Sequence, residues 1–138
     1  MIHILATALL ALSLTTSGAF ATSFGDLVER DGHYYKKFTD EPFTGKLDEG
    51  ALWGVLKNGK REGPWLMDYA NGQLSWKGAF KSGKREGPWV AYWANGQIRF
   101  KGAYKSGERE GPWVGYNSDG TKYKVLSGTF RNGKKSSD

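Results

Sequence analysis

Gly59-Lys60-Arg61-Glu62-Gly63-Pro64-Trp65 returns at residues 83–89 and again, with Glu108 in place of the lysine, at residues 107–113. The Gly-Pro-Trp triplets Gly63-Pro64-Trp65, Gly87-Pro88-Trp89 and Gly111-Pro112-Trp113 are 24 residues apart each time. A fixed period of that size is the signature of a repeat array in which each copy is one supersecondary unit. The phrase combines turn chemistry with a strand start. Glycine supplies the turn, proline stands where a missing N–H donor is tolerated, and tryptophan anchors the packing. Recurrence also argues against a catalytic reading of Glu62, Glu86 and Glu110. Catalysis needs one unique arrangement, whereas every unit needs the same turn.

Each unit reads strand, turn, strand, link. The first strand covers residues 65–69, 89–93 and 113–117, and the turns are Asn71-Gly72, Asn95-Gly96 and Asp119-Gly120. Asn-Gly and Asp-Gly are the strongest short hairpin signals and predict two-residue type I′ turns. The second strand, residues 73–80 and 97–104, alternates strictly. Leu74, Trp76, Gly78 and Phe80 share one side with Ile98, Phe100, Gly102 and Tyr104 in the next copy. Ser75, Lys77, Ala79 and Lys81 share the other with Arg99, Lys101, Ala103 and Lys105. A period of two marks half-buried antiparallel strands. Residues 81–87 read as a Gly-rich polar link. A helical alternative fails, because glycine and proline cost about 1 and 3 kcal/mol each in a helix interior.

The expected fold is therefore all-β: an elongated, single-layer antiparallel meander of stacked β-hairpins with an aromatic packing face and a polar, basic face. Residues 22–56 form the lead-in. They hold a hairpin at Asp31-Gly32 and a degenerate capping unit whose second strand is residues 52–57, since terminal repeats are atypical. Residues 57–133 form the array and residues 134–138 a disordered polar tail. The third unit carries a two-residue insertion between Gly120 and Gly128, read as a longer hairpin end that keeps the faces in phase.

Residues 4–14 are an uncharged apolar run followed by Ala19-Phe20-Ala21, with small residues where a signal peptidase reads. Residues 1–21 are thus expected to be a signal peptide cleaved after Ala21, making the protein periplasmic or secreted. The chain has no cysteine, which excludes disulfides and thiolate metal sites. Its net charge of +6 is uneven. Residues 22–56 carry seven acids and four bases (−3), and residues 57–138 carry seven acids and sixteen bases (+9). In an exported protein such a basic array favours anionic lipid, anionic glycan or an acidic protein over nucleic acid.

No catalytic constellation emerges. His33 is the one histidine after the signal, so a histidine-rich metal site is excluded, and beside Tyr34 in a strand it reads as an ordinary exposed or packed residue and not as a triad base. Residues 117–120 lack a full calcium ligand set, and no phosphate-binding glycine loop occurs. The reading is no enzyme, no cofactor and no metal. Two surface features remain as candidate sites. One is the basic set Lys77, Arg99, Lys101 and Lys105 on the polar face, with Lys60/Arg61 and Lys84/Arg85 in the links. The other is the column Trp65, Trp89 and Trp113, read as packing within the sheet.

Units of the form Gly-Pro-Trp, Asn-Gly-Gln-Leu/Ile, Lys-Gly-Ala-aromatic-Lys-Ser-Gly-Lys resemble the bacterial variant of the MORN repeat. The lead-in Tyr34-Tyr35-Lys36-Lys37-Phe38, followed by Pro42-Phe43-Thr44-Gly45, is similar to the opening of exported members. The resemblance covers about residues 31–135 by the repeat criterion. It implies a single-sheet β meander with a binding or scaffold role, and members of this group are often labelled YwqK-type antitoxin components. The expected function is an exported, non-enzymatic scaffold for protein–protein interaction, including antitoxin-like inhibition of an unknown protein partner. The alternative is binding of anionic envelope lipid or glycan through the basic face.

Overall fold

The computed structural model describes residues 22–138. The signal-peptide expectation for residues 1–21 lies outside the described residues. A short 3-10 turn at Phe24–Asp26 leads into a two-stranded hairpin, β1 (Leu27–Arg30) and β2 (His33–Lys36), turning at Asp31-Gly32 as expected. The remaining strands are β3 (Gly45–Glu49), β4 (Leu52–Lys57), β5 (Lys60–Asp68), β6 (Leu74–Lys81), β7 (Lys84–Arg85), β8 (Gly87–Tyr92), β9 (Ile98–Lys105), β10 (Glu108–Gly115), β11 (Gly128–Arg131) and β12 (Lys134–Ser137). They form one open sheet in which each strand pairs antiparallel with its neighbour in the chain, β7 and β8 both lying against β6. The protein is an all-β antiparallel meander of hairpins, not closed into a barrel.

The hairpin turns differ from expectation. At Asn71-Gly72 only the glycine has a positive φ (82°), so this is not a type I′ turn. The loop is three residues long, closed by Gly72 N–H to Tyr69 O (2.9 Å) and Tyr69 N–H to Gln73 O (2.7 Å). The asparagine is used through its side chain. Asn71 Oδ1 accepts from Gln73 N–H, and its Nδ2 donates to Ala94 O of the next unit; Asn95 repeats both bonds with Gln97 and Ser118. The true type I′ turns sit in the segments read as links. Ser82-Gly83 has φ of 50° and 83°, matched at Asn58-Gly59, Ser106-Gly107 and Asn132-Gly133. The links are thus hairpin tips, and the array is pleated at both ends of every strand. The last such tip makes residues 134–137 a paired strand, Arg131 facing Lys134 and Phe130 facing Lys135, in place of the expected disordered tail. The insertion in the third unit is taken up by a 3-10 turn at Lys124–Leu126, beneath which buried Ser127 accepts from Gly115 N–H and donates to Tyr123 O.

Packing on the aromatic face follows from one substitution of volume. Trp65, Trp89 and Trp113 are 1, 4 and 3 % exposed, and each indole lies flat against a glycine of the adjacent strand, Gly54, Gly78 and Gly102. Trp65 and Trp113 also donate Nε1–H to the carbonyls of Val55 and Ala103. The rings continue as a column. Trp65–Phe80, Phe80–Trp89, Trp89–Tyr104, Tyr104–Trp113 and Trp113–Phe130 meet edge to face at centroid distances of 5.0–6.3 Å. Such pairs contribute about 0.5–1.5 kcal/mol each beyond area burial. Above them lie three guanidinium groups: Arg61 over Trp65 and Phe80, Arg85 over Trp89 and Tyr104, and Arg109 over Trp113 and Phe130, at 4.7–5.3 Å. A single-layer sheet thereby covers one face without a second layer.

Candidate functional site: an apolar trough with two lysines

The face opposite the tryptophans is not simply polar. Residues directly opposite one another on antiparallel strands share a face. The register therefore places Trp53, Leu66, Lys77, Val90, Lys101 and Val114 in one continuous row across β4, β5, β6, β8, β9 and β10. Five inter-strand steps of about 4.8 Å make that row about 24 Å long. Pro64, Pro88 and Pro112, facing Ala79, Ala103 and Thr129, run parallel to it. Together they floor a groove of 750 Å³. Leu66 is 37 % exposed despite being apolar, as is Val55 beside it. The expected polar, basic face is corrected accordingly: its centre is an apolar trough bearing two ammonium groups.

Of the sequence-predicted cations, the structure brings only Lys77 and Lys101 into this trough. Arg99 leaves the row because β9 is bulged. Ala91 faces Phe100 and Tyr92 faces Ile98, so Arg99 is the extra residue, and its guanidinium lies over the Trp93 ring at 4.5 Å. Ser75 is the equivalent extra residue in β6, between Trp76 opposite Met67 and Leu74 opposite Asp68. The link pairs divide, since consecutive strand residues point to opposite faces. Arg61 and Arg85 cap the aromatic column, with Nη groups donating to the Tyr34 and Tyr104 hydroxyls. Lys60 and Lys84 fall on the trough side.

There they join a row at the hairpin tips. The cross-strand pairs Lys57/Lys60, Lys81/Lys84, Lys105/Glu108 and Arg131/Lys134 line one margin of the trough face. That is seven cations to one carboxylate, and the ion pairs among the described residues lie elsewhere, at Arg30–Asp40, Lys36–Glu41 and Lys135–Asp138. The recurring glutamates share this face, Glu62 opposite Val55 and Glu110 opposite Ala103, but form no ion pair with the row. Glu62, Glu86 and Glu110 accept the first backbone N–H of the next tip, from Ser82, Ser106 and Asn132 at 2.7–2.9 Å. This is the turn role that their recurrence implied.

His33 lies beside Lys57, Lys60 and Glu62, its Nδ1 3.0 Å from Asp31 O. Among the described residues no three metal-ligating side chains come together. Among the described residues, Tyr34 is the one inward-facing group with a shifted titration. Burial pushes its phenol up, against the lowering influence of Arg61. The trough escaped the sequence reading, although its signal was present. Pro64/Leu66, Pro88/Val90 and Pro112/Val114 alternate with the tryptophans, so these first strands are apolar on both faces. No family model matches the chain, and no curated protein matches it in sequence.

Proposed function

We propose that the protein is an exported, non-enzymatic interaction scaffold, assembled from units akin to the bacterial MORN-repeat variant, that docks a partner protein in the trough. The observation that carries this reading is the row Trp53–Leu66–Lys77–Val90–Lys101–Val114, a solvent-facing apolar strip with positive charge set into it. Contiguous apolar surface on a soluble chain marks interaction sites. Charge complementarity specifies the occupant: an apolar segment carrying acidic residues, which meets Lys77 and Lys101 in the floor and the seven-cation margin at the tips. A rigid pleated sheet supports such docking because its backbone donors and acceptors are already paired and little order is lost on binding. Antitoxin-like restraint of a partner is one form of this activity.

The test is capture from the exported fraction with the full chain, beside a Leu66→Asp/Val90→Asp variant. These side chains are at least partly exposed, so the variant keeps its fold. The reading expects a stoichiometric partner that the variant loses and that elevated salt weakens. Equal capture by the variant, or no stoichiometric partner, overturns it.

The unpaired cation margin favours a second reading, attachment to anionic lipid or glycan through the hairpin tips. Lys81→Glu/Lys84→Glu would then release the protein from anionic vesicles or cell-wall preparations, whereas the trough variant would stay bound. Unchanged binding and unchanged salt dependence in the charge-reversed variant reject this alternative.

A further inference from the structure

We propose a second site, on the aromatic face and independent of the trough, that binds a small carboxylate with an aromatic or apolar body. Between β6, β8 and β9 lies a cleft of about 180 Å³, room for about six waters at about 30 Å³ each. Three guanidinium groups line it, from Arg61, Arg85 and Arg99, and no carboxylate does. None of the three is in an ion pair among the described residues, although Glu29 approaches Arg61 through Tyr34, whose hydroxyl accepts from Arg61. Arg61 is in addition partly desolvated, its buried Nε having no partner. Arginines that share a cleft without an acid lining it present a fixed positive field in which an anion is favoured.

The cleft is also where the repeat breaks. Arg61 and Arg85 recur as Arg109, but the bulge position is Ser75 in one unit and Arg99 in the next. Bulges re-aim side chains and favour binding sites. Here the small serine leaves space, and the arginine of the following unit lines it. A turn must be the same in every copy, whereas a ligand site needs one place that differs. The cleft's other walls are mostly aromatic, among them the half-buried Trp76 and Phe100, with Trp76 stacked on Trp89 at 5.0 Å and 18°. Arg61 and Arg85 are held by the rings beneath them and by one tyrosine each, which leaves N–H donors of each fork free. A planar carboxylate meets such a fork in a bidentate fashion, and an aromatic body stacks on the walls. The volume suits a small molecule.

Phenylacetate is a suitable probe and phenylacetamide its uncharged counterpart. The full chain is titrated with each, following tryptophan fluorescence and the indole N–H resonances. The proposal expects a saturable, salt-weakened response to phenylacetate and at least about tenfold weaker binding of the amide, since a charged partner strengthens each hydrogen bond. Arg99→Gln should weaken phenylacetate by about tenfold, and Ser75→Arg should abolish binding by filling the cleft from the other side, which covers the case of a poorly folded Arg99 variant. The trough variant Leu66→Asp/Val90→Asp should bind phenylacetate as the natural chain does, so failure here and failure of the scaffold reading are separable. Absence of saturation, equal response to the amide, or undiminished binding by a folded Ser75→Arg chain overturns the proposal.

Discussion

Replacing Gly78 by alanine tests how the single-layer sheet holds together. In an ordinary strand this change is favourable, because glycine costs about 0.5–1 kcal/mol relative to alanine in backbone entropy. Here an added Cβ would stand 2.5 Å from Cδ2 and Cζ3 of Trp89 and closer still to Cε3. Carbon atoms at rest sit about 3.5–4.0 Å apart, so the indole or the strand must move by about 1 Å or more. The indole has nowhere to go. Trp76 stacks on one side at 5.0 Å, while Phe80 and Tyr104 meet it edge-on at 5.4 and 5.6 Å. Overpacking of this kind costs about 1–3 kcal/mol and occasionally more, and the crowding here belongs at the upper end. Subtracting the backbone gain leaves an expected loss of about 2 kcal/mol. Urea unfolding followed by tryptophan fluorescence reads it as a lower midpoint at similar slope. Trp89→Ala alone should cost about 3–5 kcal/mol. In the Gly78→Ala background it should cost clearly less, because the clash has already weakened the same contact. A neutral or stabilising Gly78→Ala, or strict additivity of the two changes, would refute the Trp-on-Gly account.

Two further predictions concern the turns. Glu86→Ala removes the acceptor for Ser106 N–H at 2.7 Å and should lower stability by about 1–2 kcal/mol in urea unfolding, with Glu86→Gln losing less because an acceptor remains. In the third-unit turn, hydrogen bonds from the Thr121 hydroxyl and then from the Thr121 backbone N–H hold the exposed Asp119 carboxyl below its ordinary 3.8. A folded-state value below the unfolded one means that this support is full above the ordinary value and lost as pH falls through the folded value. An NMR titration of Asp119 should therefore show a depressed midpoint, and Asp119→Asn should flatten the acid limb of the stability profile.

The period of 24, the alternation of β6 from Trp76 to Lys81 and of β9 from Phe100 to Lys105, and the turn role of the glutamates were all legible, because each recurs and each has a local physical cause. The bulges at Ser75 and Arg99 put Leu74 and Ile98 on the face opposite to the one expected. Turn type was not. Asn58-Gly59 and Asn71-Gly72 are the same dipeptide, yet one forms a two-residue type I′ tip and the other ends a three-residue loop. The flanking register decides between them, and that is a property of the paired strands. Arg99 was misplaced for a related reason. A strict period-two count cannot contain a bulge, and one extra residue in β9 carries the guanidinium away from Lys101. The division of Lys60 from Arg61, by contrast, follows directly once the link is recognised as strand, since neighbours in a strand face opposite ways. The trough does not show in the alternation of the second strand of each unit. The first strand, with proline and valine or leucine between its tryptophans, needed the same count.

Site-specific photo-crosslinking tests the docking surface most directly. A photoreactive amino acid is placed at Val90 in the floor of the trough, and separately at Gln97 beside the three-residue loops, in the full chain within its producing cell. The account predicts one discrete crosslinked partner from Val90, whose crosslinked peptide is apolar and acidic, and none from Gln97. No adduct from Val90, or the same adduct from both positions, would contradict it.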